Sequence, residues 1–378
     1  MTSRAWVEVD LGALERNLLR VSEAAPGAGV VPMLKANAYG LGTAAVLRAV
    51  TRALAPGGPW AIGVAAVAEG EALRGLGWAG RVLVFPPVAG EEERAARAGL
   101  TLAVSDLDAL ERWAAAARRA GKRLAFHAEV DTGMGRAGFP PGSAAEWGAR
   151  AAELSGDLLA WEGCFTHFHS ADEPDLAPTD EQVRLFRAAL ERLPPEPEGG
   201  PRRVVHCANS AAALRRGGYG MDLVRPGIFL YGGDAGPGVH PEPVASLRAR
   251  VVLARRVPPG TSAGYGATYV ARREEGWATL AAGYGDGLPR ALGPGGGEAL
   301  LHGRRVPVVG RISMDVTVVD ATGVPGVRSG DVATFLGRDG AEEIRLDEAA
   351  ARAGTISYEV LTGLTARLPR LYQGGPNT

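Results

Sequence analysis

The chain is predicted to fold as an α/β protein, an N-terminal (β/α)8 TIM-type barrel followed by a mainly-β domain. Two observations carry this. Between residues 11 and 231, short apolar or β-branched runs alternate with Ala-, Arg- and Glu-rich helical stretches. Beyond Tyr231 the alternation stops at a Gly/Pro-rich connector, GGDAGPGVHPEP, and strand-like segments between Gly and Pro turns take over. A chain of 378 residues also exceeds one ordinary core, which favours two domains.

The barrel strands are expected at residues 30–35, 61–66, 81–85, 100–104, 124–130, 162–167, 203–208 and 224–231. Helices are expected between them at 44–54, 91–98, 107–120, 143–154, 179–193 and 211–215. Such alternation implies a parallel sheet with right-handed crossovers. Eight units fit a closed barrel, whose functional groups collect at the C-terminal strand ends. A doubly wound open sheet is the competing arrangement. In the second domain, strands are expected at 247–254, 277–281, 305–309, 316–319 and 332–335, and helices near 346–353 and 357–364. The alternating segment 5–9 is placed to return and pair with it. The barrel is therefore expected to span 11–235, and the β domain 236–378, joined by residues 1–10.

Composition narrows the function. Hydrophobic residues make up 46% and charged residues 22%, the profile of a globular protein. Lys and Arg (41) balance Asp and Glu (42), so no basic footprint for nucleic acid or an anionic membrane is present. The longest uncharged run, 16 residues between Arg52 and Glu69, is broken by prolines and glycines and is too short to span a bilayer. The charged N-terminus does not read as a signal peptide, so a cytoplasmic protein is expected. Cys164 and Cys207 lack disulfide or metal-ligand patterning and read as small buried hydrophobes.

The chemistry begins at VVPMLKANAYGLG, where Lys35 ends an apolar strand. There it would face the barrel mouth, and a lysine in a semi-apolar site has a lowered pKa and can bond an aldehyde cofactor. A surface lysine is the plain alternative, so company matters. Arg136 sits in the tight loop DTGMGRAGF after the fifth strand, and His167 ends the sixth. Asn209 and Ser210 stand at the seventh strand-to-helix junction, where a serine can cap the helix and help bind an anion. Arg225 and the Gly227–Ile228 turn belong to the eighth strand. Loops after strands seven and eight form the usual phosphate cradle of such barrels.

Taken in order, KANAYGLG, DTGMGR, FTHFHSADE, NSAA, VRPGI, SAGYGATY, AGYGDGLPR, GRISMD and TISYEV resemble the bacterial alanine racemase family over essentially the whole chain. The resemblance implies that Lys35 carries pyridoxal 5'-phosphate and is the base for the D-enantiomer. Tyr265 resembles the opposite base, acting on the L-enantiomer from a partner subunit in a homodimer. Racemisation of alanine needs two bases on opposite faces of a planar intermediate, and the D-alanine formed would supply peptidoglycan. A tyrosine of ordinary pKa, about 10, is a poor base at neutral pH. His167 and Arg225 match the residues that supply positive charge to it.

The resemblance further implies that Arg225 faces the pyridine nitrogen. Always protonated, it cannot pass that nitrogen a proton, which weakens the ring as an electron sink and disfavours transamination. Tyr39, Asn209, Ser210, Gly227, Ile228 and Tyr358 correspond to cofactor- and phosphate-binding positions. Arg136 would touch the cofactor oxygen and the substrate carboxylate, and Met314 would bind that carboxylate from the partner. Asp172, Tyr284, Arg290, Arg311 and Asp315 fall where the family lines or supports its entrance.

Three positions depart from the pattern. Many members have a carboxylated lysine two residues before the Asp of DTGMGR; here Glu129 stands there, and it is expected to neutralise and orient Arg136 without CO2. His169 occupies a position where a small residue is common, and Leu41 one where a His often stands. Both bear on substrate selectivity, for which a broader racemase accepting serine is the alternative. Other classes stay open at this point. A metal-dependent hydrolase could use His127, His167, His169 and His206, with H-x-H as ligand spacing. A non-catalytic cofactor carrier would leave Tyr265 and Met314 without a role. A barrel decarboxylase of the same cofactor class would normally show a Gly-rich phosphate loop and an acidic partner for the pyridine nitrogen, neither of which is evident. No metal is expected.

Overall fold

The structure, a computed structural model, describes residues 3–196, 202–215, 217–293 and 295–375. Strand β1 (Ala5–Asp10) opens the chain. Eight parallel barrel strands follow: β2 (Gly29–Val30), β3 (Ile62–Val64), β4 (Val82–Val84), β5 (Thr101–Val104), β6 (Leu124–Glu129), β7 (Leu159–Phe165), β8 (Val204–His206) and β9 (Leu223–Val224). β3 to β8 pair in sequence order and β2 pairs with β9. The ring closes where Leu34 N–H bonds Gly63 O (2.8 Å) on one side and Arg225 N–H bonds Ala208 O (2.9 Å) on the other. Consecutive order with the last strand beside the first is a closed barrel, and the open doubly wound sheet is excluded.

Two predicted strands are shorter than expected. Residues 30–35 make regular pairs only at Gly29–Val30, because Pro32 has no N–H to give. Residues 224–231 leave the sheet after Val224 for the same reason at Pro226, and Ile228–Tyr231 coil into a 3-10 turn. Two further helices, Leu11–Ala24 and Val67–Gly75, lie outside the expected set. The first is capped by Asp10, whose carboxylate accepts the Ala13 N–H at 2.9 Å. Its buried stripe of Leu11, Leu14, Leu18 and Val21 lies one helical face apart. Each such side chain contributes roughly 1.5–3 kcal/mol by leaving water.

The mainly-β part contains β10 (Ala245–Val257), β11 (Ser262–Ala263), β12 (Tyr269–Val270), β13 (Glu275–Leu280), β14 (Glu298–Leu301), β15 (Arg304–Pro307), β16 (Thr317–Asp320), β17 (Val332–Asp339), β18 (Glu342–Ile344) and β19 (Arg370–Gln373). β1 lies in this sheet, antiparallel to β10 and parallel to β19. One apolar core runs from β1 and helix Leu11–Ala24 into both parts. Cys164 and Cys207 are free and buried, and burial pushes both thiols up to about 12. Among the described residues, no helix is long and apolar enough to cross a membrane.

Candidate active site

The C-terminal ends of the barrel strands surround a cavity of about 320 Å³. Lys35, Tyr39, Glu129, Arg136, His167, Asp172, Asn209, Ser210, Arg225, Gly227, Ile228 and Tyr358 all line it, far apart in sequence but converging at one mouth. Met33, Phe85 and Phe165 supply its apolar wall.

Lys35 starts a left-handed turn rather than ending a strand. Ala36, Asn37, Ala38 and Tyr39 all sit near φ +54°, a region that costs roughly 1–2 kcal/mol per non-glycine residue. Local bonds hold it there. The Glu69 carboxylate accepts the Ala36 N–H at 2.6 Å through one oxygen and the Ala65 N–H at 2.8 Å through the other. The Asn37 side-chain oxygen accepts the Thr43 N–H at 3.0 Å. The glycines of AYGLG follow from packing. A Cβ on Gly40 would lie 2.5 Å from Leu361 O, and one on Gly42 2.0 Å from the Tyr372 hydroxyl. The close neighbour of Gly40 is helix Ser357–Gly363, which carries Tyr358 to the cavity.

Glu69 was not legible in the sequence, because the helix it begins has Ala66 where a capping Ser or Thr would mark it. Glu69→Ala is expected to destabilise the protein by about 1 kcal/mol, since the Ala36, Ala65 and Ala66 N–H groups lose the side chain that accepts from all three. Urea unfolding checks this; an unchanged midpoint would remove Glu69 from the account.

Burial, joined by the Arg136 guanidinium, pushes the Lys35 ammonium below its ordinary value, with Glu69 opposing. More of it is free amine near neutrality than for a surface lysine. Arg225 is enclosed, and burial lowers it to about 10, still charged at neutral pH. It donates to His206 Nδ1 at 2.6 Å, Thr166 O at 2.9 Å and Cys207 O at 3.2 Å, over the Phe165 ring. His167 Nδ1 lies 3.4 Å from the same guanidinium. Burial and then Arg225 bring His167 down to about 3. Burial lifts Tyr39 above its ordinary value and Tyr358 up to about 12.

Asn209, not Ser210, caps the six-residue helix Ser210–Arg215, accepting the Ala212 N–H at 3.0 Å. The Ser210 hydroxyl is taken instead by the Gly227 N–H at 2.8 Å, which ties the loops after β8 and β9 together. The Arg136 loop is shaped by Asp131, whose carboxylate accepts from Gly133 and Gly135 N–H, each at 3.0 Å. The expected Glu129–Arg136 ion pair is not formed. Glu129 accepts from Ser105 Oγ at 3.1 Å, and burial raises its pKa, opposed by that bond and then by Arg225 ahead of Arg136. The physical reason is competition: Ser105 takes the carboxylate, and Arg225 acts on it more strongly than Arg136 does.

The remaining predicted residues are elsewhere. Tyr265 is 69% exposed and Met314 52% exposed, on the β domain and outside the cavity. The Gly310–Met314 segment gathers this second group: Arg311 packs under Gly264 and beside Gly293, near Tyr265 and Arg290, and Met314 O accepts the Gly285 N–H at 2.9 Å, next to Tyr284. Asp315 is held by Arg367 at 2.6 Å. Leu41 is fully buried core. His169 is exposed, bonded to Ser170 at 2.6 Å, and does not line the cavity.

The histidines do not form a metal cluster. His127 and His206 bond each other at 2.7 Å, and no group of three metal ligands exists among the described residues. Burial keeps both below the ordinary histidine pKa, so the fold holds them neutral. A lowered histidine pKa gives stability present above the unfolded value, near 6.5, and lost as pH falls below it. The loss approaches about 1.4 kcal/mol per pH unit for a ring that stays neutral in the fold while its unfolded form is protonated. Chemical denaturation at pH 7 and pH 5 should show the loss; equal stabilities would refute it.

Comparison with known proteins agrees with this geometry. Residues 9–235 match the family model for the alanine racemase N-terminal domain, and 244–372 that for the C-terminal domain. An alanine racemase of Symbiobacterium thermophilum is 38% identical over 375 residues, covering 98% of this chain and 97% of that protein. One from Methanococcus maripaludis is 36% identical, covering 97% and 98%. The solved alanine racemase of Streptomyces lavendulae superposes with a TM-score of 0.90 at 34% identity, covering 99% and 98%. That of Bartonella henselae, solved with covalently bound pyridoxal phosphate, gives 0.88 at 26% identity, covering 98% and 100%. The chain belongs to the alanine racemase family.

Proposed function

We propose that the chain is a pyridoxal-phosphate-dependent racemase interconverting L- and D-alanine, a cytoplasmic homodimer whose active sites are shared between subunits. The D-alanine it makes serves peptidoglycan. One observation carries the reading. The barrel mouth gathers a depressed lysine, two arginines and three hydroxyls, while Tyr265 and Met314 of the same chain stand exposed outside that cavity. A site missing its second base, and a second base missing its site, are complementary across a two-fold axis.

The donor set suits the cofactor. Lys35 offers an amine to its aldehyde, and the hydroxyls of Tyr39, Ser210 and Tyr358 with the Gly227–Ile228 backbone offer a phosphate cradle. Because Ser210 Oγ already accepts from Gly227, its own proton is the one available to a phosphate oxygen. Asn209 belongs to the same wall and shapes it through the cap. Pyridoxal phosphate supplies an electron sink for the charge left when a Cα proton is removed.

The side chains divide the remaining work. Arg136 and, from the partner, Met314 bind the substrate carboxylate. Lys35 holds or removes the Cα proton on one face, and Tyr265 of the partner subunit does so on the other. Proton removal and return on opposite faces inverts the centre; one base alone returns the proton to the face it left. His167 stays neutral beside Arg225 and passes that guanidinium's positive field toward the tyrosine. Arg225 keeps its protons, which limits the sink and suppresses transamination. Asp172, Tyr284, Arg290, Arg311 and Asp315 line or brace the entrance.

Glu129 cannot be carboxylated by CO2, so activity is expected to be independent of added bicarbonate. Degassed and bicarbonate-supplemented assays check this, and stimulation would overturn it. The decisive experiment follows loss of optical activity from L-alanine and L-serine in deuterated buffer. Alanine should racemise with deuterium at Cα, and serine far more slowly. No deuterium at Cα would sink the racemase reading, and comparable serine turnover the selectivity.

A further inference from the structure

Four titratable side chains run in contact through the barrel interior, from the cavity floor to its opposite end. Arg225 Nη1 lies 2.6 Å from His206 Nδ1, His206 Nε2 lies 2.7 Å from His127 Nδ1, and His127 Nε2 lies 3.4 Å from Glu162 Oε2. Glu162 reaches the N-terminal mouth, in a cleft lined by Trp60, Arg81, Arg123 and Arg202. Its other oxygen accepts from Arg81 Nε at 3.0 Å, and Arg81 stacks on Trp60. The barrel is shaped to hold the chain. His206 stacks flat on Phe165, with centroids 5.0 Å apart, and His127 sits where a Cβ on Gly163 would lie 2.7 Å from its ring.

The direction of every bond in this chain is determined. Arginine has donors only. His206 Nδ1 must therefore accept, which puts the His206 proton on Nε2. His127 Nδ1 must then accept in turn, which puts its proton on Nε2, aimed at Glu162. A second proton on either ring would set N–H against N–H, and burial independently disfavours it. Aligned dipoles strengthen one another in a low-dielectric interior.

We propose that Glu162 and His127 are positioning residues for Arg225, acting through His206 as a one-way hydrogen-bond chain across the barrel. The carboxylate sets the tautomer of His127, and the two neutral imidazoles carry that direction to the buried guanidinium. A carboxylate placed directly on Arg225 would offset its charge at the site; one separated by two neutral imidazoles fixes the bond that Arg225 makes to His206 and leaves the guanidinium's charge in place. The functional consequence rests on the reading of Arg225 as the cofactor's partner. The hydrogen-bond directions do not.

The test uses selective 15N-histidine labelling of the holoenzyme and the cofactor-free protein, with His127→Phe and His206→Gln to assign the signals. His127 and His206 are expected as neutral Nε2–H tautomers in both forms. An Nδ1–H or imidazolium form of either would overturn the chain. Glu162→Gln is then expected to move the His206 nitrogen signals and lower kcat about tenfold with little change in KM for alanine. Filling of space alone would leave the His206 signals in place, so unmoved signals would refute the role. Should Glu162→Gln not fold, the wild type still reports at neutral pH: the His127 Nε2–H signal must lie at the shift of a proton bonded to a carboxylate, and one at the shift of an unbonded N–H would refute the contact. Correct tautomers in a protein that does not racemise alanine would fault the functional reading instead.

Discussion

Mixing a Lys35→Ala protein with a Tyr265→Phe protein, each inactive alone, restores about one quarter of wild-type activity. The arithmetic follows from sites built by two chains. Random pairing makes about half of the dimers mixed, and each mixed dimer has one site with both bases and one with neither. Tyr265→Phe by itself lowers kcat about 1,000-fold, the scale of a lost general base. It leaves Lys35 able to exchange the Cα proton of D-alanine, so deuterium enters D-alanine without inversion. Coupled assays after refolding the mixture, with the two variants at equal concentration, make the measurement. No recovery, with both variants folded and loaded, would mean that Tyr265 does not serve a neighbouring site. The exposure of Tyr265 on the β domain is the structural motive.

Arg225 carries the second large effect. Arg225→Ala is expected to cost about 3 kcal/mol of stability, because Thr166 O, Cys207 O and His206 Nδ1 lose a buried charged donor. It is also expected to lower kcat by about 100-fold or more, since in its proposed role beside the cofactor Arg225 would supply a fixed charge that alanine cannot. Arg225→Lys separates these effects. Lysine keeps the charge but cannot satisfy three acceptors in the geometry of a planar fork, so stability recovers in part and kcat stays low. Urea midpoints and steady-state kinetics give the two readouts. An Arg225→Lys enzyme with wild-type kcat would show that charge alone suffices.

The barrel was legible because its strands and helices repeat with local periods that any window of sequence displays. Lys35, His167 and Arg225 were legible for a related reason: each stands just past a strand end, and in this topology strand ends share one mouth. Contacts between distant loops were not. Glu69 lies 33 residues from the Ala36 N–H it accepts, and nothing in its neighbourhood marks it as the brace of a left-handed turn. The cap on Ser210–Arg215 shifted by one residue to Asn209, because Gly227 claims the serine hydroxyl. Glu129 and Arg136 carry opposite charges close in the chain, yet Glu129 bonds Ser105 instead.

By itself the sequence determined the alternation of strands and helices and the residue types available at the mouth. Periodicity and turn chemistry are local, so they can be read along the chain. Only the tertiary structure decided which of those residues touch. Closure of the ring brings β6, β8 and β9 around one axis, and that closure turns His127, His206 and Arg225 from three separate residues into one directed chain. It also set Tyr265 outside the cavity of its own chain, because the β domain is anchored to β1 and turns that loop toward solvent.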